Sequence, residues 1–159
     1  MKTLALIMTL AFSSVSFAEI DSKAISAAYT KLSKIGYASN AYKVKPGSPY
    51  SMIKQLALNE YGDDEFHFEK DVTPEADGRV WGTIEMRQAM GFVRSAEGLS
   101  STRIEKGLDA IRSLVGSGVV FGVNPHGAVQ CGISLPALLL IDTEAGKIYS
   151  VSFDPSGPC

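Results

Sequence analysis

Two residues that could form a nucleophile and its base lie close together in the segment NPHGAVQCG, where His126 precedes Cys131 by five residues. A catalytic cysteine needs a thiolate, a base within hydrogen-bond reach and a third group that orients the base, a role open to Asn124 or Asp154. A proline and a glycine flank the histidine as turn residues do, and an extended chain would separate the two side chains by roughly 16 Å at about 3.3 Å per residue. We therefore interpret His126 as an exposed turn histidine and assign no catalytic residue.

The chain contains two cysteines, Cys131 and Cys159, so only one intramolecular disulfide is possible. Such a bridge would tie the C-terminal segment DPSGPC to a strand. It would close a loop of about 29 residues, which is worth roughly 3 to 4 kcal/mol in the chain-entropy model. Disulfides persist in oxidising compartments outside the cytosol. We predict a disulfide between Cys131 and Cys159, and a free Cys131 thiol would instead favour an enzyme.

A second set of chemically capable residues is Glu65, His67 and Glu69, which alternate with Phe66 and Phe68 in the segment EFHFE. Strict alternation predicts a short strand with the two aromatic residues on one face and the three polar residues on the other. Carboxylate and imidazole groups at this spacing can hold zinc or copper. The commoner meaning of such a pattern is the solvated face of an edge strand, so we predict no metal and no cofactor.

These residues belong to an acidic segment, residues 63–79, which contains seven carboxylates and only two basic side chains. A pair of carboxylates could hydrolyse a glycoside, but that chemistry needs two groups held apart in a cleft, with the pKa of one raised by burial. Carboxylates that steer an encounter and aromatic residues that anchor it are also typical of protein-binding surfaces. The candidate binding residues are Asp63, Asp64, Glu65, Phe66, His67, Phe68, Glu69, Asp71 and Trp81. The alternative is that the aromatic residues belong to the core beneath a solvated acidic loop.

Composition excludes several other functions. The formal net charge of −2 at pH 7 argues against nucleic acid or an anionic membrane as the main partner, because both attract basic surfaces. The sequence contains no nucleophile elbow, zinc-binding H-E-x-x-H, C-x-x-C, phosphate-binding glycine loop or dinucleotide fingerprint.

The N-terminus indicates export. Lys2 precedes an apolar run, and small residues at Ser16 and Ala18 flank Phe17, which is the pattern of a cleaved secretory signal peptide. We expect cleavage after Ala18, a single compact domain over residues 19–159, no membrane anchor, and a periplasmic or secreted location.

The rest of the chain must supply the framework for these residues. Apolar spacing predicts helices over residues 22–35, 49–61 and 102–115, the last with a capping box formed by Thr102 and Glu105. Residues 86–93 carry a weaker helical pattern, which Gly91 interrupts. Strands are predicted in the segments EFHFE, VWGTIEM, VVFGV, AVQCGIS, ALLLID and KIYSVSF, with NPHG as a turn.

The pattern predicts an α+β fold with amphipathic helices packed on one face of an antiparallel sheet of about four to six strands, ending in a C-terminal β-meander. The function we predict is that of a small exported binding protein, of the inhibitor or immunity type. It would bind another exported protein, such as a cell-wall hydrolase or a toxin, through the acidic segment. The alternatives are an exported hydrolase that uses Cys131 or the acidic cluster, and a periplasmic carrier of a ligand or metal.

Overall fold

The computed structural model describes residues 19–62, 67–70, 80–130 and 133–153. The expected signal peptide and both cysteines lie outside these ranges. The secondary structure elements are, in chain order, α1 (Ser22–Ser33), β1 (Ala38–Lys43), α2 (Pro49–Tyr61), β2 (Phe68–Lys70), β3 (Trp81–Ile84), α3 (Met86–Arg94), α4 (Ser101–Arg112), β4 (Val120–Gln130), β5 (Ile133–Asp142) and β6 (Lys147–Ser152).

The six strands form one sheet in the order β1-β6-β5-β4-β3-β2. The neighbouring strands pair antiparallel except at the β2 edge, where β2 runs parallel to β3. The predicted α+β class and the C-terminal meander of β4, β5 and β6 are therefore confirmed. In the described part of the chain, no helix is both long enough and apolar enough to cross a bilayer.

Helices cover both faces of the sheet, which corrects the expectation that they pack on one face. Helices α1, α3 and α4 share a core with Leu138 and Leu140. Helix α2 packs through Met52, Ile53 and Leu56 in a separate core, the α2-side core. That second core contains Leu139 and Ile141 of the same strand. Because successive side chains of a strand point to opposite faces, the continuous apolar run of β5 requires a helix on each side.

Three helix starts show how the local sequence determines the boundaries. The α2 helix begins as predicted, with the Ser48 side chain accepting a hydrogen bond from the backbone N–H of Ser51 and Pro49 at the first helical position. The predicted capping box of α4 is wrong, because Ser100 caps this helix by accepting from the backbone N–H of Arg103. The weak pattern after Glu85 is a helix, α3, and here Glu85 and Gln88 form a capping box.

The segment NPHG is a bulge within β4, not a turn between two strands. Asn124 pairs with Ala137 and Ala128 pairs with Leu135, so three residues of β4 oppose the single residue Pro136 of β5. Prolines cannot donate to the ladder and are tolerated where it is interrupted. Of the two strands predicted around NPHG, VVFGV supplies the first residues of β4. The prediction of AVQCGIS as one strand is wrong, because it is divided between the end of β4 and the start of β5.

The turn between β5 and β6 packs closely against the segment that follows β1 and is hydrogen-bonded to it. Gly146 adopts a φ of +65°, and its carbonyl oxygen accepts a hydrogen bond of 2.8 Å from the backbone N–H of Val44. A Cβ atom on Gly146 would collide with the Val44 carbonyl oxygen and lie 3.0 Å from the Pro46 ring. By contrast, Gly116 has a φ of +75° but has no atom within 4 Å of the corresponding position.

Alanine substitutions at these two glycines distinguish the cost of backbone strain from the cost of a steric collision, because only Gly146 has neighbouring atoms at the Cβ position. We expect Gly116→Ala to lower the free energy of unfolding by about 1 to 2 kcal/mol, the cost of a left-handed conformation for alanine. Gly146→Ala should cost about 1 kcal/mol or more beyond that, because the Val44 and Pro46 segment must also move. Urea unfolding of both variants measures the difference, and equal losses would contradict a steric role for the Val44 contact.

A tyrosine of β1 reports on the packing of α2 against the sheet. Tyr42 is half-buried and packs on the α2-side core. Burial raises the pKa of Tyr42 above its ordinary value of 10.0, and the carboxylate of Glu60 raises it further, whereas a hydrogen bond with the Asn40 side chain opposes this shift.

The neutral form of Tyr42 therefore stabilises the folded protein. This contribution is fully present below about pH 10, and it is lost as the pH rises through the higher pKa of the folded state. We expect Glu60→Gln to lower the pKa of Tyr42, as measured from the pH dependence of its ring carbon signals by NMR. Glu97→Gln should leave that titration unchanged, and an unchanged titration in Glu60→Gln would show that the Glu60 charge does not act on Tyr42.

Candidate functional site

The strand β2 positions the candidate binding residues at one edge of the sheet. In the register of β2 with β3, Phe68 lies opposite Trp81 and Glu69 lies opposite Gly82. Trp81 belongs to the α2-side core and Phe68 packs against it. Glu69, the next residue of β2, therefore points to the other face of the sheet. The predicted alternation of apolar and polar residues is present at the described residues of this segment.

An aromatic pair lies at the surface beside this edge. Tyr50, in the first turn of α2, contacts Phe68 edge-to-face with ring centroids 5.1 Å apart and an interplanar angle of 84°. Tyr50 is 46% exposed and Phe68 is half-buried. The pair therefore presents aromatic surface to solvent while the Phe68 ring is held from below by the core.

Trp81 occupies a different position from the one expected of a binding anchor. Its side chain is only 2% exposed and packs in the α2-side core with Leu139 and Ile141. The alternative that this tryptophan is a core residue is therefore correct. Trp81 supports the surface by holding Phe68, which packs against the same core.

The polar residues of the site divide between described and undescribed segments. His67 and Glu69 are exposed. Asp63, Asp64, Glu65, Phe66 and Asp71 lie outside the described residues. Within the ranges that the structure describes, no group of three or more histidine, cysteine, aspartate or glutamate side chains is placed to hold a metal ion.

His126 lies in the bulge of β4 and is half-buried, not an exposed turn residue as predicted, and a neighbouring side chain holds its backbone N–H. The Oδ1 atom of Asn124, a residue that is 2% exposed, accepts a hydrogen bond of 2.8 Å from the backbone N–H of His126. The Asn124 side chain therefore stabilises the backbone of the bulge. Beyond the bulge, β4 continues in register with β5 to the pair Gln130 and Ile133. Cys131, like Cys159, lies outside the described residues.

Sequence reasoning missed Tyr50. The local signal was an aromatic residue directly after the helix-initiating Pro49, outside the apolar stripe of α2. Its contact with Phe68 depends on how α2 lies over β2, which the periodicity of either element does not reveal.

Comparison of the chain with protein-family models, with curated proteins and with solved structures gave no match.

The predicted disulfide distinguishes a scaffold from a thiol catalyst. We expect intact-mass measurements on the protein, purified without reductant, to detect no alkylation before reduction and alkylation of both cysteines after reduction. Labelling of Cys131 in the native, unreduced protein would contradict the disulfide and make His126 a candidate base.

Proposed function

We propose that the protein is a small exported binding protein of the inhibitor or immunity type, and that the β2 edge is its binding surface. The observation that carries the proposal is the Tyr50–Phe68 pair, in which Tyr50 is exposed and Phe68 half-buried, at a sheet edge that also carries the exposed side chains of His67 and Glu69. Aromatic residues with a rigid base and a solvent-exposed face are the commonest anchors of protein interfaces.

The acidic segment supplies the second part of the proposed interface. The undescribed residues that adjoin β2 in sequence are strongly acidic, so the aromatic pair is close in the chain to many carboxylates. Carboxylates accelerate the encounter with a basic partner and disfavour acidic ones, whereas buried aromatic area determines how slowly the complex dissociates.

The partner class follows from this division of roles. An aromatic surface that adjoins an acidic segment in the sequence complements a basic face that contains an apolar cavity. Exported hydrolases of the cell wall and secreted toxins are the partners we propose, because their substrate clefts are often basic. The proposal assigns no catalytic residue, metal or cofactor to this chain.

The experiment compares capture of partners from an envelope extract by immobilised wild-type protein and by variants, with quantitative mass spectrometry. We expect Tyr50→Ala to reduce capture of a specific partner on the order of 10- to 30-fold, because it removes an aromatic anchor. Replacing Asp63, Asp64, Glu65 and Glu69 with Asn and Gln should mainly slow association and weaken its dependence on salt.

Matched controls are available on the same molecule. Tyr37→Ala removes a tyrosine that is 51% exposed and precedes β1, at the opposite edge of the sheet. Replacing four exposed glutamates elsewhere with glutamine removes the same charge as the acidic variant; these are Glu19, Glu97, Glu105 and Glu144. Capture that is unchanged in the Tyr50 and acidic variants, or equally reduced in their controls, would refute the proposed surface.

A further inference from the structure

A groove of about 450 Å³ between α1 and α4 concentrates positive charge on a protein that is acidic as a whole. Lys31 and Lys34 line it from the C-terminal end of α1, and Arg103 and Lys106 line it from the first turns of α4. The groove lies on the face of the sheet opposite α2, and so it is separate from the Tyr50–Phe68 pair.

The groove also contains one carboxylate, but that carboxylate is already paired. The Oδ1 atom of Asp109 lies 2.6 Å from the Nη1 atom of Arg112, in an ion pair one helical turn apart. In the described part of the chain, none of the four cationic side chains of the groove has a carboxylate within 4.0 Å. None of the four cations is therefore held in an ion pair with a described carboxylate.

The helix dipole accounts for only two of the four cationic side chains of the groove. Lys31 and Lys34 lie at the C-terminal end of α1, where the helix dipole favours cations. Arg103 is the third residue of α4, near the positive end of the dipole, where a cation destabilises the helix. An arginine at this position adds to the positive potential of the groove at a cost to the helix that carries it.

Arg103 is also held across the groove. Its Nη2 atom donates a hydrogen bond of 3.4 Å to the backbone carbonyl oxygen of Lys34, which caps the end of α1. This contact uses one of the five N–H donors of the guanidinium, and the remaining donors retain the fork geometry that suits phosphate.

The floor of the groove is apolar. Ile35 and Ala110, which are 6% and 1% exposed, lie beneath the charged side chains. A volume of this size falls within the range of small-molecule sites. The combination of a cationic rim and an apolar floor fits a ligand that carries a concentrated negative charge on an apolar body.

We propose that the α1–α4 groove is a binding site for an organic phosphate, with the phosphate group contacting Arg103, Lys34 and their neighbouring lysines and the organic group resting on Ile35 and Ala110. The same chemistry is offered by a free phosphate monoester and by the headgroup of an anionic phospholipid.

Calorimetry with phenyl phosphate and with inorganic phosphate tests this site. At about pH 8 each probe carries roughly two negative charges, so a difference between them reports the apolar floor. We expect phenyl phosphate to bind more tightly than inorganic phosphate and both affinities to fall as salt is added. Sedimentation with phosphatidylglycerol vesicles distinguishes the sources: protein that sediments with the vesicles identifies a lipid headgroup, and protein that binds only the soluble probe identifies a free phosphate.

Variants locate the site. Replacing Lys34 and Arg103 with glutamine should weaken binding of phenyl phosphate by roughly tenfold or more, because charge-assisted hydrogen bonds are lost. Replacing Lys23 and Lys147, two exposed lysines outside the groove, removes the same charge and should change affinity by less than about twofold, since distant exposed charges are screened.

A second double variant guards against a loss of folding, because Arg103 also bonds to α1. Lys31→Gln with Lys106→Gln removes two groove cations without disturbing that bond, and it should also weaken binding. Absence of binding by both phosphate probes and by the vesicles would overturn the proposal. Equal losses in the groove variants and the Lys23 and Lys147 control would overturn it as well, because they would show a response to net charge alone.

Discussion

The fold depends on strand β5, whose central residues are buried on both faces. Leu138, Leu139, Leu140 and Ile141 are each 0% exposed, and alternate residues enter different cores. A strand of this kind is stable only when helices exclude water from both sides of the sheet. Helices α1, α3 and α4 cover one face, α2 covers part of the other, and the positions of both candidate sites follow from this arrangement.

The two proposed sites lie on opposite faces of the sheet, because helices cover both sides of β5. Of the described helices, only α2 packs on its face of the sheet, and its first turn reaches the β2 edge, where Tyr50 contacts Phe68. On the other face α1 and α4 pack side by side, and the groove between them collects cations from both helices. The acidic segment and the basic groove therefore give an overall charge near neutrality that conceals strong local charge of both signs.

Much of the fold was predictable because the signals were local. Ser48, Pro49 and Gly62 determine where α2 begins and ends, and the apolar spacing of α1 and α4 identifies their buried faces. The arrangement of helices was not predictable from the spacing of any one helix, since it depends on which face of β5 each helix covers. The continuous run ALLLID did contain the relevant signal, because a strand with one solvated face alternates in polarity.

The candidate sites were less predictable because each depends on contacts between distant parts of the chain. Alternation correctly separated Phe68 from His67 and Glu69, but it could not show that Trp81 lies opposite Phe68 in the neighbouring strand or that Tyr50 contacts Phe68. Likewise, Lys34 and Arg103 are 69 residues apart, and neither belongs to a motif. Their proximity arises when α1 and α4 bury their apolar faces in the same core, which leaves their cationic faces side by side. In this protein, burial of apolar surface decides which polar residues meet.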